Sequence, residues 1–238
     1  MLEVTDLVKD FGGIRAVNRL SFKVEESELL GIIGPNGSGK TTTINLISGA
    51  FKPTAGRITF RGKRIDGLPS YEVAKRGIGR TFQVTQVFRR MSVMENMLVP
   101  ALSIPKSDGG AETDQTERAL EILEFLKIGH LKEEYARNLS GGQQKLLELG
   151  RILMLDPDVI MLDEPFAGVH PELKMEIHDY IREMHKEGRT FIIISHDLQS
   201  IFDLSERLIV LSEGSKICDG TPEEVKNDER VVEAYLGE

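Results

Sequence analysis

Hydrophobic and polar positions along the chain follow two rhythms. In the first sixty or so positions LEVTDLVK, RLSFKV and RITFRG are strand-like segments separated by Gly, Pro and Asn turn signals, a pattern that predicts antiparallel β structure near the amino terminus. From Leu29 the apolar runs become continuous. LLGIIG, DVIMLDE and TFIIIS read as short buried strands, each followed by a helical segment, the first of which starts at about Lys40. Such alternation predicts a parallel sheet covered on both faces, so the fold class is α/β. Between Met94 and Met154 no comparable strand occurs; ERALEILEFLKI and QQKLLELGRILM read as helices, with a loop, LSIPKSDGGAET, between helical stretches. The expected organisation is one domain: an α/β core with a β subdomain (1–93 and 155–238) and an inserted helical subdomain (94–154) with that flexible loop at its tip. The tail TPEEVKNDERVVEAYLGE predicts two short helices, the first capped by Thr221 with Pro222 at its first position.

Composition narrows the partners. A chain of 238 residues can bury one sizeable core with a satellite lobe. Its net charge of -8, from 30 basic and 38 acidic residues, argues against nucleic acid as a partner, because phosphate neutralisation supplies most non-specific affinity. Cys218 stands alone, so no internal disulfide is expected and a reducing compartment is the simplest reading. No apolar run approaches the ~18 residues that suggest a bilayer span, and MLEVTDLVKD is too polar for a signal peptide. The protein is therefore expected on the cytoplasmic side, reaching a membrane only through a partner.

Three short stretches carry chemistry. GPNGSGKTT, Gly34 to Thr42, has a glycine, four residues and then Gly-Lys-Thr, placed after a strand and before a helix. Glycines let the backbone curl so that successive N–H groups face phosphate oxygens, and the following helix adds its positive end. In that pattern Lys40 reaches the β and γ phosphates and the Thr41 hydroxyl binds Mg2+. VIMLDEP then brings Asp163 to the carboxyl end of a buried strand, where ligands of parallel sheets lie, with Glu164 beside it. Two adjacent carboxylates there repel each other without a cation between them. LSGGQ, Leu139 to Gln143, places Ser140 where it can cap the helix QQKLLELGRILM, and its bare glycine backbone lets an anion approach the positive helix end.

Taken in order, GPNGSGKTT, Gln83, LSGGQ, VIMLDEP and His196 after a strand resemble the nucleotide-binding subunit of ATP-binding cassette (ABC) proteins, and the resemblance spans nearly the whole chain. It implies a P-loop ATPase core in which the phosphate loop of one subunit faces the LSGGQ of a second, with two ATP molecules between them. By that resemblance Phe11 is the aromatic that stacks on adenine, though tyrosine is more usual there. Gly34, Pro35, Asn36, Gly37, Ser38, Gly39, Lys40, Thr41 and Thr42 hold phosphates, and Thr41, Gln83 and Asp163 hold Mg2+. Ser140, Gly141, Gly142 and Gln143 contact the ATP of the other subunit, Glu164 is the catalytic base, and His196 contacts the γ phosphate. His130, His178 and His185 lack metal spacing and are expected on the surface. After Glu164 the family places an aspartate in a loop that contacts the opposite site; this chain reads FAGVHP, with His170 there, ahead of a helix begun by Pro171.

A single compact cassette without long coiled-coil insertions resembles a transporter motor rather than the cassettes that handle DNA ends or translation. GIGRTFQ, VFRRMSVMENMLV, AGVHP and the ending AYLGE are similar to the ATP-binding subunits for branched-chain amino acid uptake, with urea-uptake and lipopolysaccharide-transport ATPases as alternatives. The implied partners are integral membrane permease subunits and, indirectly, an external substrate-binding protein, with Gln83 to Met97 as the docking segment; Phe88 and Met91 read equally as docking contacts or as lobe core. An ATPase that reshapes a soluble partner is the reading from a different class.

Overall fold

The computed structural model describes residues 1–102 and 111–236. Two sheets organise the molecule. The first is antiparallel: β1 (Leu2–Phe11), β2 (Ile14–Val24), β4 (Ala55–Phe60) and β5 (Lys63–Arg64) lie in the order β2-β1-β4-β5. The second runs β10-β9-β3-β8-β7-β6, built from β3 (Leu29–Ile33), β6 (Ile78–Arg80), β7 (Val159–Asp163), β8 (Thr190–Ile194), β9 (Arg207–Ser212) and β10 (Ser215–Gly220). All its pairings are parallel except that of β10 with β9. The mixed α/β class expected from the alternating apolar runs is therefore the observed one.

Period-two alternation divides the core. Every residue of β3, β7 and β8 is buried, yet the two faces feed different clusters. Phe191 and Ile193 pack with Leu29, Ile160 and Leu162 on the side of the helices, whereas Ile192 and Ile194 pack with Leu30, Ile32 and Met161 against the antiparallel sheet and α1 (Lys40–Ile47). A strand buried on both faces has no room for polar alternation, which is why these segments read as continuous apolar runs.

Helices α2 (Ser70–Lys75), α3 (Val93–Ala101), α4 (Ala111–Phe125) and α5 (Gly141–Leu153) precede β7; α6 (Pro171–Lys186) and α7 (Leu198–Leu204) flank β8, and α8 (Pro222–Lys226) and α9 (Glu229–Leu236) close the described chain. The described residues between 94 and 154 contain no strand. Helix α4 begins at Ala111, inside the stretch expected to be loop; the rest of that loop's tip, 103–110, lies outside the described residues. Ser92 caps α3 and Ser140 caps α5, each in a reciprocal box with the residue three positions on, Glu95 and Gln143. Thr221 and Glu224 make the same box at α8, with Pro222 at the first helical position. Among the described residues no helix is long and apolar enough to cross a membrane.

Candidate nucleotide site

The carboxyl ends of β3, β7 and β8 lie side by side, and the loops that leave them form an open cavity of about 320 Å³, a size typical of ligand pockets. Its walls include Asn36 to Thr42, Gln83, Glu164 and His196. The loop after β3 depends on glycine. Gly34 has φ +146°, and a Cβ there would stand 2.0 Å from the carbonyl oxygen of Leu211; Gly39, the residue before α1, has φ +102° and a Cβ position 2.5 Å from the carbonyl of Ala16. The turn holds the backbone against two neighbouring chain segments and starts α1 with no acidic residue in its first turn, so the positive helix end is uncompensated. Lys40 donates to the carbonyls of Gly34 (2.6 Å) and Pro35 (2.7 Å), which keeps its ammonium folded over the loop.

Glu164 follows β7 in a left-handed conformation, φ +55°. Its N–H donates to Ile194 O at 2.8 Å and its carbonyl accepts from Lys145 Nζ at 2.7 Å. The carboxylate accepts from the His196 N–H at 3.0 and 3.2 Å and from Ser195 Oγ at 3.2 Å, and His196 Nδ1 stands 2.7 Å from Oε2. The Glu164 side chain is 10% exposed and that of His196 70%, so the imidazole is open to a ligand while the carboxylate is held behind it. Ser195 Oγ also accepts from the Asp197 N–H, and Asp197 caps α7 while Lys174 of α6 pairs with its carboxylate.

Asp163 stands deeper and does not line the cavity. Its Oδ2 pairs with Arg80 Nη2 at 3.0 Å, both side chains being almost wholly buried, and its N–H donates to Thr81 Oγ1. Burial raises the Asp163 carboxyl above its ordinary value, although Arg80 pulls it down. Its second oxygen, Oδ1, is buried without a hydrogen-bond partner, as is Ser38 Oγ in the phosphate loop. A buried carboxylate oxygen left unsatisfied suits a hard cation such as Mg2+.

Two expected groups lie away from this cavity. Phe11 packs edge-on against Phe51, ring centroids 5.4 Å apart, with Lys9 Nζ 4.9 Å from its centroid. Ser140 to Gln143 form the start of α5 and contribute nothing to the cavity wall; Gly142 is covered by Leu173, while Gly141 faces open space. His170 precedes Pro171 at the start of α6. Of the histidines expected on the surface, His178 is instead half-buried edge-on against Phe166, centroids 4.7 Å apart, because α6 turns that position inward, and His185 is half-buried beside Glu206. Among the described residues no cluster of three or more metal ligands of the His, Cys, Asp or Glu type occurs. Sequence reasoning did not single out Arg80, Ser195 or Lys145, which bond to Asp163 or Glu164 from distant positions; the one local signal is that Ser195 adjoins His196 and Arg80 stands three positions before Gln83.

The family model for the ABC transporter matches residues 17–167, which include the phosphate loop, Gln83, LSGGQ and Glu164. The chain belongs to the ABC transporter family. A second model, the branched-chain amino acid ATP-binding cassette transporter, matches residues 215–238. This ABC chain is 37% identical over 250 residues to the high-affinity branched-chain amino acid transport ATP-binding protein LivG of Salmonella typhimurium, covering 100% of this chain and 98% of the relative. A solved ADP conformation of an ATP-binding cassette of an ABC transporter superposes with a TM-score of 0.90 at 39% identity, covering 100% of this chain and 99% of that one. A dimeric post-hydrolysis cassette bound to ADP and Pi has a TM-score of 0.84 at 25% identity, covering 93% and 99%. The P-loop ABC fold, binding of adenine nucleotide and ATP hydrolysis coupled to transport follow from this membership.

Proposed function

We propose that this ABC ATPase drives an importer for branched-chain amino acids, working as an ATP-closed pair of cassettes docked on the cytoplasmic face of membrane permease subunits. The observation that carries the catalytic part is the Glu164 carboxylate held at the cavity by His196 and Ser195. The substrate class is supported by the match of residues 215–238 and by the named activity of the Salmonella relative.

In this reading the loop from Gly34 to Thr42 holds the phosphates, and Lys40 exchanges its carbonyl partners for phosphate oxygens. Thr41, Gln83 and Asp163 are the groups that would hold Mg2+, which when bound neutralises phosphate charge. Glu164 accepts a proton from the attacking water, and His196, fixed by Glu164, meets the γ phosphate. Ser140 to Gln143 and the α5 amino end lie outside the cavity of their own chain, which supports a second copy that brings them to it. Phe11 is the adenine contact once its ring is shared with the base. Loss of the γ phosphate removes a ligand common to both subunits, and the pair opens.

Helices α3 to α5 are the lobe that moves with the permease. Beside them Val84 is 72% exposed and Phe88 45%, with Arg89 and Arg90 also exposed, whereas Met91 is half-buried; Phe88 is thus the better candidate for the docking contact. The test is light scattering of Glu164→Gln with and without Mg-ATP. A monomer that becomes a dimer only with nucleotide, while Lys40→Ala stays monomeric, is expected; unchanged turnover in Glu164→Gln removes Glu164 from its role. Reconstitution with the permease then separates leucine from urea uptake, and failure to copurify with any polytopic membrane protein favours a soluble partner.

A further inference from the structure

Helix α5 carries more than the signature residues at its start. One turn on, Lys145 and Glu148 point inward between the helices and the sheet. Lys145 Nζ donates to the carbonyl oxygen of Glu164 at 2.7 Å, reaching the backbone of a residue that sits in the left-handed region. Glutamate gains nothing intrinsic there, so that conformation persists only because neighbours hold it. Glu148 is 5% exposed and its Oε1 accepts from the Gln86 N–H at 2.9 Å, while Arg151, one turn further, donates to the Gln86 carbonyl. Both N–H and C=O of one residue, three positions after Gln83, are thus captured by the same helix. A small cavity at this joint is lined by Thr81, Lys145, Glu148 and Asp163 among a larger number of apolar side chains, so these polar groups sit in a largely apolar surround. Burial disfavours the charged forms of both groups, lowering the Lys145 ammonium and raising the Glu148 carboxyl, against their mutual attraction. Two ionisable groups retained at that cost, each bonded to the backbone of a different site segment, call for a reason beyond filling space.

We propose that Lys145 and Glu148 are positioning residues for hydrolysis: Lys145 fixes the backbone of Glu164, Glu148 fixes the segment that carries Gln83, and both tie the hydrolytic centre to the helix whose tip meets the other nucleotide. This rests on the reading of Glu164 as the base. Movement of α5 then shifts the glutamate and the glutamine together, so the cassette hydrolyses ATP only when its own signature helix is seated. A one-ångström misplacement of a catalytic group lowers turnover by up to about a hundredfold without weakening nucleotide binding.

The test measures kcat and KM for ATP, together with backbone hydrogen exchange, on the full-length protein. Lys145→Met is expected to lower kcat at least ~10-fold with KM within about threefold, and to speed exchange in residues 163–168 but not in 84–88. Lys145→Arg, which keeps a charged donor, restores much of the loss. Glu148→Ala is expected to speed exchange in 84–88 and leave 163–168 protected. Should Lys145→Met fail to fold, Lys145→Gln, with its neutral donor, carries the same comparison. The proposal is overturned if kcat stays within about twofold of the parent, or if kcat falls and KM rises together and Arg is no better than Met, which marks a structural role. Glu164→Gln separates the two readings: retained turnover there overturns the assignment of the base, whereas lost turnover beside an unaffected Lys145→Met overturns only the positioning role.

Discussion

Removing Arg80 tests whether the acidic end of β7 is held by charge. Its guanidinium joins three elements: Nη2 pairs with Asp163 Oδ2 at 3.0 Å, Nη1 donates to Asn45 Oδ1 at 2.6 Å and Ser48 Oγ at 2.9 Å, and Nε donates to Thr81 O at 3.2 Å. The two charged side chains are 7% and 1% exposed. Breaking such a pair from one side strands a buried charge, which costs about 3–5 kcal/mol. For a chain of this length that is a fall in melting temperature of roughly 6–20 °C. The loss also depends on pH. Burial already raises the Asp163 carboxyl while Arg80 opposes the rise, so in Arg80→Met the folded-state value climbs further. A raised carboxyl favours the folded state at low pH and forfeits that advantage as pH rises through its folded value. The gap between parent and variant therefore widens with pH, by up to about 1.4 kcal/mol per unit until the new value is passed. Urea unfolding of Arg80→Met at several pH values between about 5 and 8, with Asp163→Asn added as a suppressor, measures both effects. A loss that ignores pH, or one that Asp163→Asn does not reduce, refutes the stranded-charge reasoning.

Three further outcomes follow from local geometry. Gly34→Ala is expected to cost about 2–4 kcal/mol, since its Cβ meets Leu211 O, whereas Gly12→Ala, with open space around it, should cost about 1 kcal/mol; equal denaturation midpoints would dissociate the phosphate loop from backbone constraint. Ser140→Ala removes the side-chain half of the α5 capping box and is expected to lower unfolding stability by about 0.5–2 kcal/mol; a larger fall would mean that the serine supports more than its helix. Burial tends to raise Asp219, but Arg207 and Lys216 outweigh it and hold the carboxyl below the ordinary aspartate value. The stability it adds is present above that value and lost as pH falls through the lowered folded value, so thermal scans of Asp219→Asn and parent should converge only under acid conditions below about pH 4.

What could be read from residues alone depended on whether the cause was local. The phosphate loop was visible because glycine at Gly34 and Gly39 answers a backbone requirement, and Lys40 and Thr41, read as the phosphate and metal contacts, follow Gly39 directly. β3, β7 and β8 were visible because burial on both faces imposes an unbroken apolar run. β6 was not: Ile78 to Arg80 is three residues long with a glycine at its centre, and only its pairing with Val159 to Met161 makes it a strand. The same division runs through the site. Side chains read as meeting substrate sit in short recognisable runs, while those that hold them come from elsewhere in the chain, Arg80 to Asp163 across 83 positions and Lys145 to Glu164 across 19.

That division has a physical origin. A group that meets a small ligand must be exposed at a strand end or helix start, where backbone geometry restricts the sequence, whereas a supporting group needs only the right charge and reach from whichever element packs alongside. The expected adenine contact shows the limit of local reading: Phe11 is where the pattern places an aromatic, but its observed partners, Phe51 and Lys9, are set by how the β1–β2 hairpin meets the loop after α1. Ser140 to Gln143 show it from the other side. Their capping box is complete within one chain, yet the cavity they are read as serving has its wall elsewhere. An intact helix start with an open glycine beside it, standing outside the cavity around Lys40, fits a surface that closes on another copy, because the cap keeps the helix end formed while the second phosphate loop is absent.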